Sequence, residues 1–179
     1  MNDFADGTTL RPRRATAADA PRLAALARAA YQPWIDIIGG EPEPYRADYA
    51  ALLRDHEAWL VPTLENSPEG ELDGAVVLRW ARDHVLLLSI AVRPEKQHVG
   101  LGRQMMDFVE TVARARGIGA VRLYTNRLMH RNRRLYAKLG YEETGRESRG
   151  ERVVVHMAKQ LGPEIEFWFE LARDRKSVV

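Results

Sequence analysis

"HVLLLSIAVRPEKQHVGLGRQMMDFVETVARARG", residues 84–117, is the stretch whose reading decides the fold. His84–Val92 is apolar on both faces, as a strand in the middle of a sheet would be. "RPEK" then breaks the pattern. From Leu101 the apolar residues Met105, Phe108, Val109 and Val112 recur at helical spacing, up to a terminating Gly117. Between strand and helix stand Gly100 and Gly102. Each glycine inside a helix costs roughly 1 kcal/mol relative to alanine, so this turn needs backbone where side chains would otherwise stand. A strand that enters such a turn and then a helix aims unpaired N–H groups along the positive end of the helix dipole. That is an anion site, and a phosphate can lie on it only if no side chain holds it off. The two familiar nucleotide loops do not fit. Gly-Lys-Ser/Thr is missing, and Met105 stands where a dinucleotide fingerprint has its third glycine.

Working outward, "TTLRPRRAT" reads as a first strand and "TAADAPRLAALARAAY" as a helix. Thr16 or Asp19 is its candidate cap, and Leu23, Leu26 and Ala30 lie on one face. Gly39, Gly40, Pro42 and Pro44 break the next segment, which resumes as a short helix through Tyr49, Leu52 and Leu53. "EAWLVPTL" and "DGAVVLRWAR" are strands joined by a turn-rich link. After the glycine turn and its helix come the strand "AVRLYT", the helix "RNRRLYAKLG" and the strands "YEETGRE" and "RVVVHMAKQL". The order is βααβββαβαββ, a mixed α/β domain.

The chain has 179 residues, 45% of them apolar and 29% charged, which suits one globular domain. We take residues 1–161 as that domain and 162–179 as a tail whose aromatics, Phe167, Trp168 and Phe169, pack as a helix on the domain or on a second subunit. A net charge of +2 does not argue for a nucleic-acid partner. The absence of cysteine excludes disulfides, thiolate catalysis and Cys-based zinc sites, and fits a reducing compartment. "MNDFADGTTLRPRR" has no apolar signal core, and no run approaches roughly 18 apolar residues, so a cytoplasmic protein away from membranes is expected.

Gln97-His98-Val99-Gly100-Leu101-Gly102 fits Q/R-x-x-G-x-G/A, the signature of the GCN5-related N-acetyltransferase (GNAT) family, which the chain resembles over residues 8–161. "NRRLYAKLGYE", Asn132 to Glu142, is similar to a second family element. The resemblance implies a GNAT fold whose mixed central sheet splays between the fourth and fifth strands, flanked by helices. It implies acetyl-CoA as co-substrate and no metal. The main chain from His98 through Val99, Gly100, Leu101 and Gly102 to Arg103 would hold the pyrophosphate. Ile90, Ala91 and Val92 would pair with the pantetheine arm and polarise the thioester carbonyl. Asn132 would touch the pantetheine or cap its helix, and Tyr136 would protonate the leaving thiolate.

The strand that would carry a general base offers only Leu86, Leu87, Leu88 and Ser89, with no carboxylate. A water held by Ser89 is one route for the proton. His84, Glu95, His130, Glu151 and His156 are the other titratable groups, and none is assigned. The acceptor is expected between the first helices, where Tyr31 and Trp34 stand among Asp36, Glu41, Glu43, Tyr45, Asp48 and Tyr49. Aromatic walls with acids suit a small-molecule amine. Arg127, Arg131, Arg133, Arg134 and Lys138 form either a solvated face, an attractor for the CoA 3′-phosphate, or a nucleic-acid surface. An enzyme using direct attack in a ternary complex is the leading reading, with a homodimer expected. The alternatives are a non-catalytic acyl-CoA-binding domain and an acetyltransferase for a protein or aminoacyl-tRNA.

Overall fold

The computed structural model describes residues 10–63 and 71–162. The expected packing of the tail therefore lies outside the described residues, except for Gly162. Seven strands form one sheet in the order β1-β2-β3-β4-β5-β7-β6. They are β1 (Arg13–Arg14), β2 (Glu57–Pro62), β3 (Leu72–Trp80), β4 (Val85–Val92), β5 (Ala120–Asn126), β6 (Glu142–Arg149) and β7 (Arg152–Gln160). All neighbours are antiparallel except β4 and β5. The expected mixed sheet with the apolar run at its centre is what forms. Among the described residues of "TTLRPRRAT" only Arg13 and Arg14 are strand; Pro12, just before them, has no N–H to donate to a ladder.

Helices cover both faces. α1 (Ala20–Tyr31), α2 (Ile35–Ile38), α3 (Glu43–Arg46) and α4 (Tyr49–Asp55) lie before β2, and α5 (Leu101–Ala115) and α6 (His130–Lys138) flank β5 in sequence. Alternation along β3 divides the core. Ala75 and Val77 pack with Leu23, Leu26 and Tyr31 of α1, whereas Val76 and Leu78 pack with Met105, Met106 and Val109 of α5. Asp19, not Thr16, stands at the N-cap of α1. It makes no cap bond there but accepts from the Thr16 N–H at 2.8 Å and from Arg13 at 2.6 Å, which holds its carboxyl far below the usual range. Glu110 of α5 is buried and satisfied by Lys159 of β7 at 2.7 Å and the Tyr141 hydroxyl at 3.2 Å, which ties α5 to the far side of the sheet.

Two irregularities of β4 open the sheet. Val77 pairs with Ser89 but Leu78 pairs with Leu87, so Leu88 is an extra residue, a β-bulge. The bulge reverses side-chain parity: Val85 and Leu87 face α5 before it, and Ile90 and Val92 face that side after it. At the same point the parallel pairing of β4 with β5 stops, after Leu87 opposite Leu123. β4 continues against β3 to Val92, and β5 continues against β7 to Asn126. The two central strands therefore diverge into a cleft.

Candidate active site

The glycine turn lies at the mouth of this cleft. Gly100 has φ +93° and caps α5, a left-handed conformation that L side chains rarely take. Gly102 is different. It sits in the first turn of α5 with no positive φ, and a Cβ there would meet only Leu135 and Val92 at 3.8 and 3.9 Å, ordinary contact distances. Backbone conformation thus accounts for the first glycine and not for the second. Both border a cavity of about 480 Å³. The Gln104 N–H bonds the Gly100 carbonyl at 3.1 Å, so the N–H groups of Leu101, Gly102 and Arg103 before it have no helical acceptor. His98, at φ +67°, lies 3.3 Å from the Arg131 guanidinium. Arg103, Arg131 and Lys138 place three cations on the cavity wall.

The β4 edge supplies the other wall. The Arg93 N–H bonds the Asp73 carbonyl of the neighbouring strand at 2.9 Å. Antiparallel alternation then turns the N–H and C=O of Ala91 toward β3, and those of Ile90 and Val92 toward the cleft. Both cleft-facing carbonyls are taken: the Tyr31 hydroxyl donates to Ile90 O at 2.8 Å and the Gln97 amide to Val92 O at 3.0 Å. What remains on this edge is a pair of donors, the Ile90 and Val92 N–H groups.

A second cavity of about 370 Å³ adjoins the first, and Tyr31, Ile90, Asn132 and Tyr136 border both. Tyr136 is 5% exposed, and its hydroxyl has no hydrogen-bond partner among the described residues. Burial pushes its pKa up, as it does for Tyr31, so both phenols stay protonated at neutral pH. Ser89 is buried in the second cavity beside the Tyr31 and Tyr49 hydroxyls. Its outer wall carries Glu43 and Arg46 from the α3 segment, Tyr124 from β5, and Arg149 and Arg152 from the β6–β7 hairpin. Burial, and then the neighbouring Glu43, push the Tyr124 hydroxyl up to about 12.

A family model described as "Acetyltransferase (GNAT) family" matches residues 22–141, more than half of the chain. The chain belongs to the GNAT acetyltransferase family. Solved structures agree at the level of fold. The ribosomal-protein-S18-alanine N-acetyltransferase of Escherichia coli is 17% identical with TM-score 0.67, covering 86% of this chain and 95% of that one. The PaiA N-acetyltransferase of Thermoplasma acidophilum, in complex with coenzyme A, is 20% identical with TM-score 0.66, covering 86% and 99%. YncA of Salmonella typhimurium, a putative acetyltransferase with its cofactor acetyl-CoA, is 18% identical with TM-score 0.63, covering 88% and 96%. No curated protein sequence matches.

Within this GNAT frame the sequence-expected residues separate. Ile90, Val92, Gln97, His98, Gly100, Gly102, Arg103, Asn132 and Tyr136 border the first cavity. Ala91, Val99 and Leu101 do not. Ala91 is buried with its backbone turned to β3, Val99 is 69% exposed, and Leu101 packs into the core. Asn132 is the third residue of α6, whose N-cap is Met129, so the capping alternative falls. Tyr31 borders both cavities, Ser89 the second alone and Trp34 the first alone. Of the unassigned titratable groups, His84 pairs with Asp83, His156 pairs with Glu147, and Glu95, His130 and Glu151 are exposed; none borders the second cavity. The carboxylate that does is Glu43. In the basic run, Arg131 and Lys138 reach the first cavity, while Arg133 pairs with Glu143. Arg46, Arg149 and Arg152 carried no signal in the sequence, because an arginine on a short helix or a hairpin reads as solvated surface.

Proposed function

We propose that this chain moves the acetyl group of acetyl-CoA to the primary amine of a small molecule within one ternary complex. The observation that supports it most is the junction of the two cavities at Ile90 and Tyr136. The first cavity suits the cofactor: glycine backbone and three cations for phosphates, then a strand edge for the pantetheine. Gly102 fits that reading because the protein itself leaves room for a side chain there. The second cavity is of small-molecule size. Residues 1–161 are the unit to which we assign this activity.

The acceptor ammonium loses a proton to water in the open cavity. Its nitrogen then attacks the thioester carbonyl; the C–N bond forms and the C–S bond breaks, giving the amide and CoA. The Ile90 N–H is placed to meet negative charge developing on the thioester oxygen. Tyr136 hands its phenolic proton to the leaving sulfur and is reprotonated from solvent. Burial raises the pKa of the phenol, so Tyr136 carries its proton until the sulfur leaves.

Calorimetric titration with acetyl-CoA, followed by CoA release with a panel of amines, tests the reading. Tyr136→Phe should lower kcat by about 10²-fold or more and leave the acetyl-CoA Kd within about twofold. A folded parent that ignores acetyl-CoA would refute the proposal. Unchanged turnover in the variant would remove Tyr136 from the chemistry.

A further inference from the structure

We infer that the acetyl acceptor carries a carboxylate as well as its amine, and that Arg46 and Arg152 hold that carboxylate. This rests on the acetyltransferase reading and names its substrate class. The acceptor-side cavity is lined by three guanidinium groups, Arg46, Arg149 and Arg152, against one carboxylate, Glu43. None of the three arginines borders the cofactor-side cavity, so they stand away from the junction where the thioester carbonyl must lie.

Their partners separate them. Arg149 is forked onto Glu147 at 3.0 and 3.1 Å and lies 3.9 Å from Glu43. Glu43 also engages the Tyr124 hydroxyl. Glu147 thus offsets Arg149, and Glu43 is left as one carboxylate facing Arg46 and Arg152. Arg152 donates to the Glu41 carbonyl at 2.9 Å and has no carboxylate partner among the described residues; Arg46 has none either. Arg152 is also held in place. Its guanidinium lies over Gly40, where a Cβ would run into it, so the Gly39–Gly40 turn keeps this cation at the wall. With Glu43 set against Arg46 and Arg152, the wall keeps a net positive charge and two guanidinium groups without a carboxylate of their own, which disfavours a simple diamine and attracts an anion. A planar guanidinium matches a carboxylate with two parallel hydrogen bonds. An amino acid or short peptide satisfies both ends: its amine reaches the junction and its carboxylate the arginines.

The test begins with acetyl-CoA binding by calorimetry. Absence of binding in the folded protein would bring down the acetyltransferase reading and this inference with it. CoA release is then followed with each proteinogenic amino acid and a set of dipeptides, each beside its carboxamide, and with simple alkylamines. The preferred acceptor should show kcat/KM at least about tenfold higher as carboxylate than as carboxamide. Arg46→Gln, at an exposed site with no hydrogen bond or ion pair among the described residues, should raise KM for the carboxylate about tenfold, level the ratio and leave acetyl-CoA affinity unchanged. Arg152→Lys should fall between, keeping the charge and losing the fork. Equal or better use of the carboxamides or alkylamines, transfer to no carboxylated amine, or an unchanged ratio in Arg46→Gln would each overturn the inference while leaving the acetyltransferase reading in place.

Discussion

The cofactor-side and acceptor-side cavities meet at four residues, yet they are built in opposite ways. The first takes Gln97, His98, Gly100, Gly102 and Arg103 from a single turn, and the groups proposed to act there include the main-chain N–H donors of a helix start. The second draws Tyr31 from α1, Glu43 and Arg46 from α3, Ser89 from β4, Tyr124 from β5 and Arg152 from β7, and its working groups are side chains. A site made of backbone constrains sequence where the backbone must be bare, so it leaves a compact glycine pattern. A site made of side chains brought together by topology leaves isolated residues with no local pattern.

The largest effect that would break this contrast is at Gly102. Its helical backbone and open surroundings admit a side chain, so Gly102→Glu should fold with an unchanged melting curve. Placing a carboxylate where phosphate is to bind should weaken acetyl-CoA by about 10²-fold or more, as read by calorimetry. Retained affinity would mean that the turn is only a turn. Gly102→Ala sharpens the same point with a smaller change. It should stabilise the free protein by a few tenths to about 1 kcal/mol, yet cost about tenfold in acetyl-CoA affinity. A stability gain and a binding loss of opposite sign at one residue is the signature of a glycine kept for a ligand. Gly100→Ala, by contrast, should destabilise, because φ there is +93°.

How much of this was legible follows from the same physics. The element order was, because each helix and strand carries its own apolar period: Leu23, Leu26 and Ala30 are buried on one face of α1, as their spacing requires. The bulge at Leu88 was not. It lies in a run of three leucines, and an inserted residue among identical neighbours leaves no break in the pattern. The one-turn helices α2 and α3 were hidden by Gly39, Gly40, Pro42 and Pro44, which read as breakers; here Gly39 and Pro42 bound the turns, and Pro44 sits in the first turn of α3, where its missing N–H costs nothing. Asn132 looked like a helix cap because it precedes the run from Arg133, whereas α6 starts three residues earlier, at His130. Tyr136 was legible through its motif, but its free hydroxyl at the junction was not, since that depends on how α6 packs over the cleft. The balance of charge at the acceptor cavity needs Glu43, Glu147 and the three arginines in space, and these residues span more than a hundred positions.

Tyr31 belongs to both cavities, and its replacement gives the smallest effect and the most discriminating one. Its hydroxyl donates to the Ile90 carbonyl at 2.8 Å, on the strand edge that faces the cleft. Tyr31→Phe keeps the ring in the α1 core and removes the hydroxyl that meets Ile90 and Ser89, leaving a part-buried, cleft-facing carbonyl without its donor at a cost of about 1 kcal/mol in a denaturant titration. Freed of that tie, the Ile90 peptide should lose some of its fixed orientation, and with it the N–H assigned to the thioester oxygen. Acetyl-CoA Kd and acceptor KM should then both shift by a few fold. Gly102→Ala should move only the first of these constants and Arg46→Gln only the second. If Tyr31→Phe moved one constant alone, the two cavities would not share the wall that the β4 edge builds between them.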